Sequence, residues 1–176
     1  MKDWSAIEAK LKRENKAALI QPIQELAAVS SEAQRYLQTR YGKGKTADQI
    51  APYRKVIQEQ FVISEWNNTI SWSFAGVQKA IDDYAKSSQG DEVGVAELLV
   101  VGLETAIKFA DKINLQDYDF DNDIAVLGEK CADHLQSHKY LLPTYKRRLT
   151  KVQRMGNALG YEALDDSLDV LINLYR

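Results

Sequence analysis

The chain has 176 residues, of which 45% are hydrophobic and 27% charged, and its formal net charge is −2. This composition is typical of a folded globular protein and excludes a disordered chain, and the length predicts a single helical domain over residues 1–176. One cysteine, Cys131, excludes an internal disulfide and favours a reducing compartment. The first residues lead into a charged amphipathic helix without an apolar signal core, so we expect a cytoplasmic protein.

Apolar residues recur at helical spacing from Trp4 to Tyr175, and we predict no strand. The first helix is expected over residues 4–13. Asn15 is a good N-cap for the second helix, which Pro22 should kink or split. Ser31 is expected to cap a third helix that ends before Gly42.

In the fourth predicted helix Pro52 occupies the first turn, and the helix runs to about Ile63. A polar turn at Asn67 and Asn68 then separates it from a helix over residues 73–86. The remaining helices are predicted over residues 91–113, over 121–138, from Pro143 to about 159, and through Tyr175. Eight or nine helices joined by short loops indicate an all-α fold, either an irregular bundle or a short stack of antiparallel helical hairpins.

These segments also resemble a family of small bacterial all-helical proteins described as a domain of unknown function. The resemblance lies in the pieces Leu11 to Ile20, Glu25-Leu26, Ser31 to Leu37, Tyr53 to Ile57, Ala80 to Lys86, and Gly156 to Tyr175. It implies the all-helical fold and assigns no functional residue.

The charges are distributed unevenly along the chain. Residues 61–133 carry fourteen acidic and five basic side chains, whereas the flanking regions are both net positive. In a helical domain this asymmetry predicts either pairing between helices or a charged binding face.

A basic stripe is predicted on the eighth helix. Arg147, Lys151 and Arg154 recur at i, i+4 and i+7, opposite the apolar face that begins at Tyr145. Together with Arg148 they are candidate contacts to phosphates or to an acidic protein partner. The sequence pI of about 5.8 favours a solvated face or an acidic protein partner over phosphate binding.

Two loop motifs are incomplete. The segment from Gly42 to Thr46 ends like a phosphate-binding loop, but Thr39 occupies the position of its first glycine, and a helix precedes it. The carboxylates from Asp117 to Asp123 alternate as in a calcium loop, yet the required glycine and closing glutamate are missing. We therefore predict a solvated loop at the first site and a helix cap by Asp121 or Asp123 at the second.

Cys131, His134 and His138 share one predicted helix face, and the two histidines are one turn apart, a spacing that suits chelation of a transition metal. The helix rise separates Cys131 from His138 by about 10 Å, so one ion does not readily bind both. A buried cysteine beside histidines at the helix surface is the favoured interpretation, and no metal ligand is assigned.

Trp66 and Trp72 flank the predicted polar turn. They are interpreted as core residues at a helix junction, with an interaction hot spot as the alternative.

No motif specifies a reaction, so no catalytic residue and no cofactor are predicted. The sequence favours a non-enzymatic binding or scaffolding module that acts through a protein partner and not through a membrane. The alternative is a nucleic-acid-associated protein that uses Arg147, Arg148, Lys151 and Arg154. A third class is a metal-dependent enzyme centred on His134 and His138 with a nearby carboxylate such as Asp133.

Overall fold

The computed structural model describes residues 4–42, 46–64, 66 and 69–173. These residues form nine α-helices and one small antiparallel hairpin, which confirms the all-α prediction with eight or nine helices. The chain divides into two compact units, Met1–Gly42 and Lys43–Arg176. The single domain over residues 1–176 stays a prediction. The predicted turn residues Asn67 and Asn68, and Tyr175, lie outside the described residues.

The first unit contains three helices: α1 (Trp4–Leu11), α2 (Lys16–Val29) and α3 (Ser31–Tyr41). Asn15 caps α2 as predicted, because its side-chain oxygen accepts a hydrogen bond from the Ala18 amide at 2.9 Å. Helix α2 continues past Pro22, so the predicted split does not occur. The cap of α3 is Ser30 and not Ser31, since the Ser30 hydroxyl accepts from the Ala33 amide at 3.2 Å.

The second unit is built around α6, which packs against α4, α5, α7 and α8, while α9 packs on α7 and α8. Its elements are α4 (Thr46–Gln58), β1 (Phe61–Ser64), β2 (Thr69–Trp72), α5 (Phe74–Ser87), α6 (Glu92–Ile113), α7 (Tyr118–Ser137), a 3₁₀ turn (Lys139–Leu141), α8 (Leu142–Leu159) and α9 (Glu162–Asn173).

The hairpin overturns the prediction that the chain has no strand and the prediction that the fourth helix runs to about Ile63. Helix α4 ends at Gln58 and does not reach Ile63, because Phe61–Ser64 pairs antiparallel with Thr69–Trp72. Val62 and Ile63 are β-branched and favour a strand when a partner is available. Pro52 is not in the first turn of α4 either, since the helix begins at Thr46.

An aromatic cluster joins the hairpin to the helices. Phe61 and Trp72 face each other across the hairpin, and both contact Phe120, which is fully buried at the start of α7. The ring centroid of Phe120 lies 5.1–6.5 Å from the centroids of five other rings, those of Phe61, Trp72, Phe74, Phe109 and Tyr161. Such pairs add to the energy of burial, so this cluster fixes the hairpin on the bundle.

We expect Phe120→Ala to lower the free energy of unfolding of the protein by about 3–5 kcal/mol, because it leaves a cavity at the centre of the aromatic cluster. Chemical denaturation measures the change. Tyr118→Ala is the matched control on the same helix, since Tyr118 is 80% exposed and should change stability by about 0.5 kcal/mol or less. Equal effects of the two substitutions would contradict the assignment.

Candidate functional site

The basic stripe on α8 lies where the sequence predicts it. Tyr145 is buried against the core, while Arg147, Lys151 and Arg154 are exposed on the opposite side. An open cleft of about 960 Å³ follows this side. The cleft is lined by Glu104, Pro143, Lys146, Arg147, Arg148, Thr150, Lys151 and Arg154.

Arg148 differs from the other three candidate contacts because it is held by carboxylates. Its Nε and Nη2 atoms donate to Glu104 at 2.8 and 2.9 Å, and Nη1 donates to Glu97 at 2.6 Å. Arg54 of α4 donates to the other oxygen of Glu97 at 2.8 Å. The network confirms the predicted pairing between the acidic middle of the chain and its basic ends.

The ion pairs change the acidity of Glu104. Hydrogen bonds from Arg148 hold the pKa of Glu104 below its usual range, because a carboxylate that accepts charged hydrogen bonds is stabilised in its ionised form. The side chains of Glu97 and Glu104 are only 17% and 25% exposed. The ion pairs therefore also hold α4 and α8 in place against α6.

Cys131 does not join the histidines. It is fully buried in the core, and burial raises the pKa of its thiol to about 12. Since metals bind the thiolate, this environment disfavours Cys131 as a ligand. The prediction of a buried cysteine is confirmed.

His134 and His138 instead meet Glu92, the first residue of α6; we call these three residues the histidine cluster. The Glu92 Oε2 atom lies 3.8 Å from Nε2 of each histidine, and the two imidazole centroids are 4.6 Å apart. His134 also donates through Nε2 to the Glu92 carbonyl oxygen at 2.9 Å. Asp133, the carboxylate suggested by sequence, is exposed and not in the cluster. No local motif could have indicated Glu92, which is remote in sequence.

The phosphate-loop-like segment and the acidic run have different outcomes in the structure. Lys43, Gly44 and Lys45 lie outside the described residues, but the segment before them is helical, as predicted, where a phosphate-binding loop needs a strand. In the acidic run the cap is Asp117, whose carboxylate accepts from the Phe120 amide at 2.9 Å. The predicted cap at Asp121 or Asp123 is therefore wrong, because α7 begins earlier, at Tyr118.

The tryptophans occupy two environments. Trp72 packs in the aromatic cluster, which confirms its interpretation as a core residue. Trp66 is 97% exposed at the turn of the hairpin, so the same interpretation is wrong for it.

Most of the large apolar residues of the first unit are exposed, whereas Leu19 and Leu37, which also follow its helical pattern, are half-buried. In its described part Thr39 is the one buried residue. We call the exposed residues the N-terminal apolar face; they are Trp4, Ile7, Leu11, Ile20, Ile23, Leu26, Val29, Tyr36 and Tyr41.

No family model, curated protein or solved structure matches this chain. The resemblance to a family of small helical proteins therefore stays a prediction. Among the described residues, none of the helices combines the length and the apolar character needed to cross a membrane.

We expect Glu104→Gln to lower the free energy of unfolding at neutral pH by about 1–3 kcal/mol, because it weakens charged hydrogen bonds to Arg148. The pKa of Glu104 is higher in the unfolded chain, near 4.5, than in the folded protein. The stabilisation that ionised Glu104 gives the folded protein is therefore complete above that pH, and it is lost as the pH falls through the lower pKa of the folded state. The difference from the parent should therefore shrink in acid. Denaturation from pH 7 to 3 tests this, with exposed Glu129→Gln as the control; a difference constant with pH would contradict it.

Proposed function

We propose that the protein is a non-enzymatic binding module that docks on another protein through the N-terminal apolar face. The observation that carries the proposal is the exposure of Ile23 and Leu26 on α2, at 45% and 57%, although both follow the helical apolar pattern. The proposal assigns no catalytic residue and no cofactor. A cytoplasmic location, which the single cysteine favours, belongs to the same proposal.

The low stability of short isolated helices supports binding of the first unit to a partner. Helices α1, α2 and α3 contain 8, 14 and 11 residues, and isolated helices of such lengths are marginal in water. Most of their stability must come from packing of the apolar side. Large exposed apolar patches mark protein–protein sites, and an amphipathic helix that inserts into a groove is a common mode of recognition.

The charges around this face suggest the chemistry of the partner. Exposed basic residues outnumber exposed acidic ones around the connection between α1 and α2, with Lys10, Lys12, Arg13 and Lys16 against Glu14. An apolar groove bordered by acidic side chains complements this arrangement, since charge complementarity speeds association and selects partners.

A photo-reactive amino acid incorporated at position 23 or 26 of the full chain tests the proposal in the cells that naturally produce it. Both positions should crosslink to the same second protein, identified by mass spectrometry. Incorporation at exposed Ala28, on the other side of α2, is the control and should give no such product. Crosslinks only to residues 43–176 of the same chain, or to a second copy, would overturn the proposal, as would the absence of any product.

A second candidate function, binding of nucleic-acid phosphates, is favoured by the basic cleft on α8. Arg147, Lys151 and Arg154 are exposed along it, whereas Arg148 is held by Glu97 and Glu104. Exposed cations bind phosphates and do not read base edges, so such a site would bind nucleic acid without sequence specificity.

We expect this function to appear as binding of labelled DNA or RNA that weakens steeply between about 50 and 200 mM salt. Fluorescence anisotropy measures it. Reversal of Arg147, Lys151 and Arg154 to Glu should abolish binding. The control variant reverses Lys55, Lys86 and Lys112, which are exposed on other helices. It therefore changes the net charge of the protein by the same amount as the α8 variant. Equal loss in both variants, or no binding at low salt, would exclude a site on α8.

A further inference from the structure

We propose that Glu92, His134 and His138 form a binding site for a divalent transition-metal ion of the zinc class. One ligand atom from each of the three residues lies within 4.8 Å of the other two. The ligands come from the start of α6 and the end of α7, so an ion would join two helices of the second unit. The site is independent of the proposed protein-binding face.

The hydrogen bonds define which nitrogens are available. His138 Nδ1 lies 2.9 Å from the His134 carbonyl oxygen. Because a carbonyl oxygen only accepts, this nitrogen carries a proton, so in the neutral imidazole the lone pair is on Nε2, which lies 3.8 Å from Glu92 Oε2. A ligating histidine usually makes this kind of outer hydrogen bond, which fixes the tautomer and the ring.

His134 requires a local change before it coordinates. Its Nε2 donates to the Glu92 carbonyl oxygen at 2.9 Å, so this nitrogen carries a proton without the ion. Coordination through Nε2 breaks that hydrogen bond and requires the proton to move by way of solvent to Nδ1, whereas coordination through the unprotonated Nδ1 requires rotation of the ring. The ligand atoms also draw together, since metal–ligand distances of about 2.0–2.2 Å hold ligands closer to one another than 4.8 Å. These are side-chain movements on helices that stay in place.

The backbone around Glu92 is anchored by its neighbours. The Asp91 carboxylate accepts from the Gly94 amide at 3.0 Å and from the Tyr84 hydroxyl at 2.6 Å. Tyr145 donates to the Val93 carbonyl oxygen at 3.2 Å. Together these contacts hold the first turn of α6 against α5 and α8, and therefore hold the Glu92 backbone at a fixed position beside α7.

The ligand set selects the kind of ion. Two imidazoles and one carboxylate suit zinc, copper or nickel, whereas magnesium and calcium prefer oxygen ligands alone. The side chains of His134, His138 and Glu92 are 14%, 28% and 40% exposed, so an ion can enter from solvent. Three protein ligands leave a fourth position to water.

Calorimetric titration with zinc tests the site. The full chain is produced without a histidine tag and is freed of metal by a chelator before the titration. We expect one zinc ion per chain and a higher melting temperature with zinc, since an ion that binds the folded state stabilises it. His138→Ala and Glu92→Gln should each weaken binding by about 100-fold or more, because loss of a ligand costs at least as much as loss of a residue that supports one. Glu92→Gln preserves the backbone carbonyl that His134 contacts, so it separates ligation from folding. Asp133→Asn, an exposed carboxylate on α7 outside the cluster, is the matched control and should bind like the parent.

Cobalt substitution distinguishes this site from one that uses the cysteine. The expected spectrum is that of nitrogen and oxygen ligands, without the intense near-ultraviolet band of a cobalt–thiolate bond. A thiolate band would assign the metal to Cys131 and overturn the proposal. It is overturned equally by the absence of stoichiometric zinc, or by unchanged zinc affinity in folded His138→Ala and Glu92→Gln.

Discussion

The pairing of Glu97 and Glu104 with arginines decides how α6 can be buried. This helix supplies twelve buried residues to the core, yet it carries two carboxylates that are mostly shielded from water. Shielded charges are costly unless they are paired and hydrogen-bonded. Arg148 of α8 contacts both carboxylates and Arg54 of α4 contacts Glu97. The pairs therefore fix the positions of α4 and α8 along α6 more specifically than apolar contacts alone.

Because Arg148 is paired with Glu97 and Glu104, the basic surface of α8 differs from the one that the sequence predicts. Four cations near one another on α8 predict one continuous stripe, but a bidentate contact to Glu104 fixes one of them as a structural cation. The exposed charge of α8 comes from its neighbours Arg147, Lys151 and Arg154. The same fixed placement of α6 carries Glu92 to the end of α7, so the histidine cluster is also a consequence of how α6 is held.

The sequence predicts the features that depend on nearby residues and misses those that depend on distant ones. The 3.6-residue period locates the helices, and Asn15 caps α2 by a contact three residues away. The hairpin is missed because its strands have only four residues each, and Phe61 and Ile63 also continue the helical pattern of α4. Glu92 is missed because its meeting with His134 and His138 follows from the packing of α6 on α7, which no spacing encodes.

The apolar period itself has two different outcomes in this chain. On α8 the pattern around Leu149 predicts burial, and Leu149 is 0% exposed. On α2 an equivalent pattern leaves Ile23 45% exposed. Periodicity thus indicates that a helix side is suited to be covered, but it does not identify the covering surface. In the second unit neighbouring helices supply the covering surface. In the first unit α2 packs against α3, yet Ile23 and Leu26 stay exposed, which is why we propose recognition of another protein there.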